Sequence, residues 1–293
     1  MGMGGSVPRS PHLLLALVVV VWAGSYAAIK QLIDDGLAAP DIALGRYLVA
    51  APGFAIALAA TRGLPGLGRR DLARLVAAGL LVVTVYHLSL NAGERLTTAG
   101  TASVVVAAAP GIALAMAVAI GQERFSRRRA AGLAVSFAGV VVVVLLGSGQ
   151  SISFANVHGP LLVLAAPAAF AAFNVIVKPL LPRYGALPVT AAASLIGTGA
   201  LLPFAARGTV HRVAGLDAGD ILLLLYLGLV ATLLGYIGWT RGLRQLEASR
   251  TVAYLYGVPV VAIVIGALAL GESVTVWLGL GGVLVVAGMA LAQ

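Results

Sequence analysis

Apolar runs about as long as a bilayer is thick recur along the whole chain. Charge-free stretches cover 13–29, 96–122, 184–206, 221–240, 251–271 and 273–293. Each is close to the ~20 residues a helix needs to cross the hydrocarbon layer. Residues 130–177 hold no Asp, Glu, Lys or Arg and are long enough for two crossings, divided at the turn-forming GSGQS of 147–151. Two further runs, 40–61 around Arg46 and 72–92 around His87, bring the segments to ten. The pattern predicts an all-α polytopic membrane protein with ten transmembrane helices.

Composition points the same way. Hydrophobic residues make up 60% of the 293 and charged residues 10%, where a soluble domain carries about a quarter charged. A soluble protein with buried core helices does not call for ten such runs. The chain has no cysteine, which excludes disulfides, thiolate catalysis and cysteine-based metal sites. Arg9 ahead of the first run also fits a signal peptide, but the charge pattern requires that segment to be retained.

The net charge of +9 is informative through its placement. With ten crossings and a cytoplasmic N-terminus, Arg9, Arg62, Arg69, Arg70, Arg74, Arg124, Arg127, Arg128 and Arg129 fall on the cytoplasmic side. So do Lys178, Arg183, Arg241, Arg244 and Arg250. Only Lys30, Arg95, Arg207 and Arg212 fall opposite, and Arg46 lies within the second span. Basic residues collect in cytoplasmic loops, so both termini are expected inside. The basic balance is topological, and no nucleic-acid partner is expected.

An internal repeat organises the spans. Shifted by 149, residues 90–140 align with 239–289. Gly93 meets Gly242, Arg95 meets Arg244, Pro110 meets Pro259, Glu123 meets Glu272, Gly132 meets Gly281, and Gly139 meets Gly288. In a chain rich in Ala and Gly, the matched Pro and Glu carry the most weight. At offset 148, Trp22, Tyr26 and Lys30 meet Phe170, Asn174 and Lys178. The chain divides into 1–149 and 150–293, with five spans each. An odd number turns the second copy upside down in the membrane. That is the inverted-repeat architecture of secondary transporters, with substrate bound near the midplane between the halves.

The segments WAGSYAAIK (22–30) and AAAPGIALAMAVAIGQERFS (107–126) carry a family resemblance. So do YGVPVVAIVIGALALGESVT (256–275) and LGLGGVLVVAGMALA (278–292). These resemble EamA-type transporters of the drug/metabolite transporter superfamily, over essentially the whole chain. Through YHLSLNAGERLTTAGTASVV (86–105) the chain looks most like the YddG-type amino-acid exporters. The resemblance implies a basket-like ten-helix fold and export of amino acids or related metabolites from the cytoplasm.

Helical periodicity selects candidate substrate-cavity residues. Trp22, Tyr26 and Lys30 share one stripe of the first span, and Phe170, Asn174 and Lys178 the matching stripe of the sixth. The two lysines read as helix-end residues that snorkel to the headgroups, which leaves Trp22, Tyr26, Phe170 and Asn174 deeper. His87 and Asn91 lie one turn apart, with Tyr86 adjacent, and intramembrane polar groups tend to face a cavity. His87 is suited to a substrate carboxylate or to proton exchange, and plain interhelical bonding is the alternative. Tyr236 and Trp239 in the eighth span and Tyr254 in the ninth add aromatic surface and hydroxyl donors; packing is the alternative for each. Arg46 reads as a partner of Asp41 or of a helix end, or as snorkelling outward, with a substrate role as the alternative. Pro110 and Pro259 are expected to kink the fourth and ninth spans, as static bends or as paired kinks that open and shut the basket. Glu123 and Glu272 are expected to favour the N-terminus of the helix that follows each. Gly132, Gly139, Gly279, Gly282 and Gly288 are expected to permit close helix contact.

No span centre holds Asp or Glu, so proton coupling would fall to His87 or to the substrate. No G-x-x-x-x-G-K-[ST] loop is present to support ATP-driven pumping. No cofactor or metal is expected. The spans and the repeat predict a secondary transporter working by alternating access, and the family resemblance implies that it exports amino acids, aromatic or hydrophobic ones included, or related small metabolites across the bacterial inner membrane. The expected partners are a small-molecule substrate and membrane lipids, and a complete repeat is compatible with a monomer. A carrier for another metabolite or drug is the nearest alternative. A lipid-modifying membrane enzyme would need paired carboxylates, a nucleophile with a base, or a metal cluster; the pair Asp34–Asp35 reads as a solvated turn near the outer face, and no Ser/His/Asp spacing or His/Glu cluster is present.

Overall fold

The computed structural model covers residues 1–293 and describes all but 1–10, 62, 122–125, 148–153, 205–208, 246–253 and 293. Every long element in the described residues is helical. We label α1 (Pro11–Asp34), α2 (Ala39–Ala60), α3 (Arg69–Glu94), α4 (Ala99–Val106), α5 (Ala109–Ala119) and α6 (Arg127–Leu146). There follow α7 (Phe154–Val177), α8 (Ala186–Leu201), α9 (218–245), α10 (Gly257–Leu270) and α11 (Val276–Ala292). Seven helices are long and apolar enough to cross a membrane: α1, α2, α3, α6, the body of α7, α8 and the body of α9. Ala99–Ala113, Tyr254–Leu270 and Val276–Leu291 form shorter apolar helices.

Local chemistry sets the boundaries. The Thr98 hydroxyl accepts from the Thr101 N–H to start α4. Asp217 and Asp220 exchange side-chain-to-backbone hydrogen bonds as a capping box at the start of α9. Gly271, at φ +66°, closes α10 in the left-handed conformation that glycine adopts without steric cost.

The two prolines expected to kink spans do something different. The helix stops at Ala107–Ala108, and Pro110 opens α5 within its first turn. Pro259 likewise sits in the first turn of α10, after the tight turn Tyr254–Tyr256. A first-turn residue has no intrahelical use for its N–H, so proline starts a segment there. The irregularities inside long helices are π-type turns instead, at Leu80–Val85 in α3 and Tyr226–Leu234 in α9. They fall at matching places under the 149-residue shift. Such turns widen a helix and are frequent at functional sites.

Helix neighbours are exchanged between the two halves. The α1–α10 contact has a counterpart in α7 against α5, and α2–α9 has one in α8 against α3. Glycines bring α6 and α11 together. A methyl group on Gly139 would lie 2.7 Å from the Gly281 carbonyl oxygen, and one on Gly288 would lie 2.5 Å from that of Gly132. Contact moves back from 288 to 281 on α11 as it advances from 132 to 139 on α6, so these repeat-related helices run antiparallel. Gly281 takes the place expected for Gly279 and Gly282. A methyl group on Gly279 would meet nothing within 4 Å among the described residues, and one on Gly282 would meet only Val104.

Apolar side chains cover the outside. Leu268 is 84% exposed, Val276 74% and Ile56 70%. Lipid is the solvent that accepts such a surface. The buried apolar residues form one large cluster around α1, α4 and α10 and a second around α2, α3 and α8.

Candidate substrate pocket

A pocket of about 970 Å³, its open mouth included, lies among the helices. Trp22, Ser25, Tyr26 and Ile29 of α1 form one wall, and Val82, Tyr86, His87 and Leu90 of α3 another. Arg46 comes from α2, Ser103 and Val106 from α4, Phe170 from α7, and Ala231 and Tyr236 from α9. Leu255, Tyr256 and Val258 close it from the start of α10.

The aromatic side chains are mutually ordered. The Trp22 Nε1–H donates to the Ala231 carbonyl at 2.9 Å, and the ring lies edge-on to Tyr236 at 6.1 Å. Gly235 lacks the methyl group that would reach within 2.5 Å of Trp22 Nε1. Tyr86 sits between His87, at 4.8 Å centroid to centroid, and Phe170, at 6.2 Å. His87 shares a 3.0 Å hydrogen bond between its Nε2 and the Tyr47 hydroxyl, while its Nδ1 has no protein partner. His87 and Tyr236 are equivalent under the 149-residue shift, and each follows its π turn by two residues.

Of the residues expected in a cavity, Trp22, Tyr26, Tyr86, His87, Phe170 and Tyr236 come together here. Four do not line the pocket. Asn91 is buried behind the wall, donating to the Ala39 carbonyl at 3.1 Å. Asn174 is exposed and donates to the Phe170 carbonyl one turn back on its own helix. Trp239 stands behind Trp22, its ring 5.4 Å away. Tyr254 bonds His12 Nδ1 at 2.5 Å near the start of α1. Helical spacing groups residues on a stripe but does not fix which neighbour each part of the stripe meets, and Tyr254 lies in the tight turn that precedes its helix.

Arg46 is the residue that spacing undervalued. Its expected partner Asp41 is taken by the Arg212 Nε at 2.6 Å and the Thr209 hydroxyl at 2.7 Å. That carboxylate also holds the Arg212 guanidinium above its ordinary range. Arg46 is 7% exposed and donates from Nε to the Thr232 hydroxyl at 2.5 Å. Thr232 in turn donates to the Leu227 carbonyl at 2.8 Å, inside the π turn. Among the described residues no carboxylate lies within 4 Å of the guanidinium. Arg46 thus lines the pocket as a buried cation with no ion-pair partner among the described residues. A charge this deep in an otherwise apolar span was the sequence signal for it.

Glu272 also acts differently from expectation. Its carboxylate accepts from the Ala99 N–H at 2.7 Å and the Gly100 N–H at 3.2 Å. It therefore serves the N-terminus of α4, in the other half of the chain, and not the helix that follows it. Glu123 lies outside the described residues. Lys30 donates to the Glu94 carbonyl at 3.3 Å and pairs with Asp34 at 3.5 Å, at the end of α1.

The whole chain is similar to known transporters. The chain is 33% identical to a probable terminal-alkyne amino-acid exporter of Streptantibioticus cattleyicolor, over 94% of this chain and 91% of that one. It is 31% identical to a probable amino-acid metabolite efflux pump of Salmonella typhimurium, over 96% and 94%. An uncharacterized transporter of Archaeoglobus fulgidus is 33% identical over 94% and 96%. A solved crystal structure superposes with a TM-score of 0.61 over 98% of each chain, at 19% identity, which speaks for the fold alone. The EamA-like transporter family matches the chain twice, over 9–145 and 157–292, and this multi-pass membrane protein belongs to that family.

Proposed function

We propose that the protein is a secondary transporter that exports amino acids, or related small metabolites bearing a carboxylate, across the bacterial inner membrane. The observation that carries this reading is Arg46, a buried guanidinium on the pocket wall with no counter-charge. A planar fork of N–H donors matches a carboxylate in two parallel hydrogen bonds. The aromatic walls from Trp22, Tyr86, Phe170 and Tyr236 accept an apolar side chain. Two relatives named for amino acids or their metabolites support the same class.

The pocket draws on both halves of the chain, as alternating access between repeats requires. We place ten spans in two inverted sets of five, with both termini in the cytoplasm. The antiparallel contact of α6 with α11 supports the inversion, and the distribution of Lys and Arg supports the orientation.

Counterflow in proteoliposomes tests the reading. Protein loaded with one amino acid and offered a labelled panel outside is expected to accumulate label transiently, and Trp22→Ala to weaken that uptake. No uptake of any panel member above empty liposomes would reject amino acids as cargo.

A further inference from the structure

Glu94 is a carboxylate for which neither the pocket nor the helix ends have a use. It closes α3, is fully buried, and neither of its carboxylate oxygens has a hydrogen-bond partner among the described residues. Two more buried polar atoms on this helix lack partners: His87 Nδ1 and Asn91 Oδ1. Helical spacing puts 87, 91 and 94 on one face of α3. His87 and Leu90 line the pocket, so this face leads from the pocket wall to Glu94.

The charged groups around the carboxylate leave it uncompensated. Lys30 of α1, Arg46 of α2 and Glu272 from the α10–α11 connection act on it electrostatically. Lys30 is held by the Glu94 main-chain carbonyl and by Asp34, and no Lys, Arg or His nitrogen among the described residues lies within 4 Å of the Glu94 oxygens. Arg46 is bonded to Thr232, and the Glu272 oxygens are occupied by the Ala99 and Gly100 N–H groups. Tyr26 of α1 and Tyr86 of α3 also feel Glu94. Helix α4 carries no titratable side chain, α7 carries only the exposed His158, and Asp41 of α2 is paired with Arg212. An ionised carboxylate buried without donors is costly, and a bound proton removes the charge. Carboxylates within membrane spans commonly serve as proton carriers.

We propose that Glu94 is a proton-binding site at the end of the His87–Leu90 wall, and that its proton is exchanged for exported substrate. The carboxylate takes H⁺ from the outer aqueous phase and gives it to the cytoplasm as substrate moves outward. Only the carboxyl O–H bond forms and breaks. A bacterial proton gradient drives protons inward, so exchange is the direction in which it assists export. The exchange rests on the transport reading above; the proton site does not.

Two measurements on the full-length protein in liposomes separate these claims. Infrared spectra at neutral pH should contain the carbonyl stretch of a protonated carboxylic acid, lost in Glu94→Gln and kept in Glu94→Asp. Absence of that band from the wild type, or its persistence in Glu94→Gln, overturns the proton site whether or not any substrate is found. In the second measurement, an outside-acid gradient should accelerate efflux of an amino acid that the counterflow panel accepts. Glu94→Gln should keep counterflow and lose the acceleration. Efflux that ignores the gradient in the wild type, or still responds in Glu94→Gln, overturns the exchange. If no panel member moves in the wild type, the amino-acid reading fails and the exchange falls with it, while the infrared band still decides the proton site.

Discussion

Arg46→Gln separates a substrate-binding role from a structural one. Glutamine keeps a donor within reach of the Thr232 hydroxyl, which Arg46 Nε contacts at 2.5 Å, and removes the charge. A hydrogen bond to a charged group contributes about 1.5–3 kcal/mol. At 1.4 kcal/mol per tenfold change, losing the fork should raise Kd for an accepted amino acid by about 10- to 100-fold. For the corresponding amine, which lacks the carboxylate, Kd should change little. Stability should move the other way or hold still, because the guanidinium is buried with no carboxylate to offset its desolvation. Arg46→Lys keeps the charge without the fork and should fall between wild type and Gln. Binding is read by calorimetry on purified protein and Tm by a thermal shift in the same detergent. An unchanged amino-acid Kd, or an equal loss for amino acid and amine, would refute the carboxylate assignment. A lowered Tm with unchanged binding would make Arg46 a strut for Thr232.

Two further substitutions probe the frame that holds the pocket. Gly139→Leu forces a side chain into the α6–α11 contact, where even a methyl group lies 2.7 Å from the Gly281 carbonyl oxygen. Overpacking of this kind costs about 1–3 kcal/mol, so Tm should drop, whereas Gly279→Leu, which meets open space, should leave it unchanged. Glu272→Ala removes the two carboxylate acceptors of the Ala99 and Gly100 N–H groups and leaves the Thr98 cap in place. It should destabilise by about 0.5–2 kcal/mol, as loss of a cap does, and Glu272→Gln by less, measured by the same thermal shift.

Much of the fold is legible in the chain because lipid imposes one simple demand. Every backbone polar group in the hydrocarbon layer must be satisfied within its own segment, so an apolar run of sufficient length is a helix whatever surrounds it. The repeat was equally legible through Pro110 with Pro259 and Glu123 with Glu272. Part of the candidate site followed from spacing, since Trp22 and Tyr26 lie one turn apart on a regular helix. The same rule misplaced Asn91, Asn174, Trp239 and Tyr254. It also passed over Glu94, which sits at the edge of an apolar run and so reads as loop.

Sequence by itself determined the helical class and the family, because these depend on local composition and order. Tertiary structure alone decided which polar groups were left without partners. Arg212 reached Asp41 from 171 residues away and left Arg46 to the pocket. Glu272 crossed 173 residues to the N-terminus of α4. Chain packing closed over Glu94 without supplying a donor. Hydrogen-bonding capacity is written in the residue types, but whether it is satisfied depends on distances that only the folded helices fix.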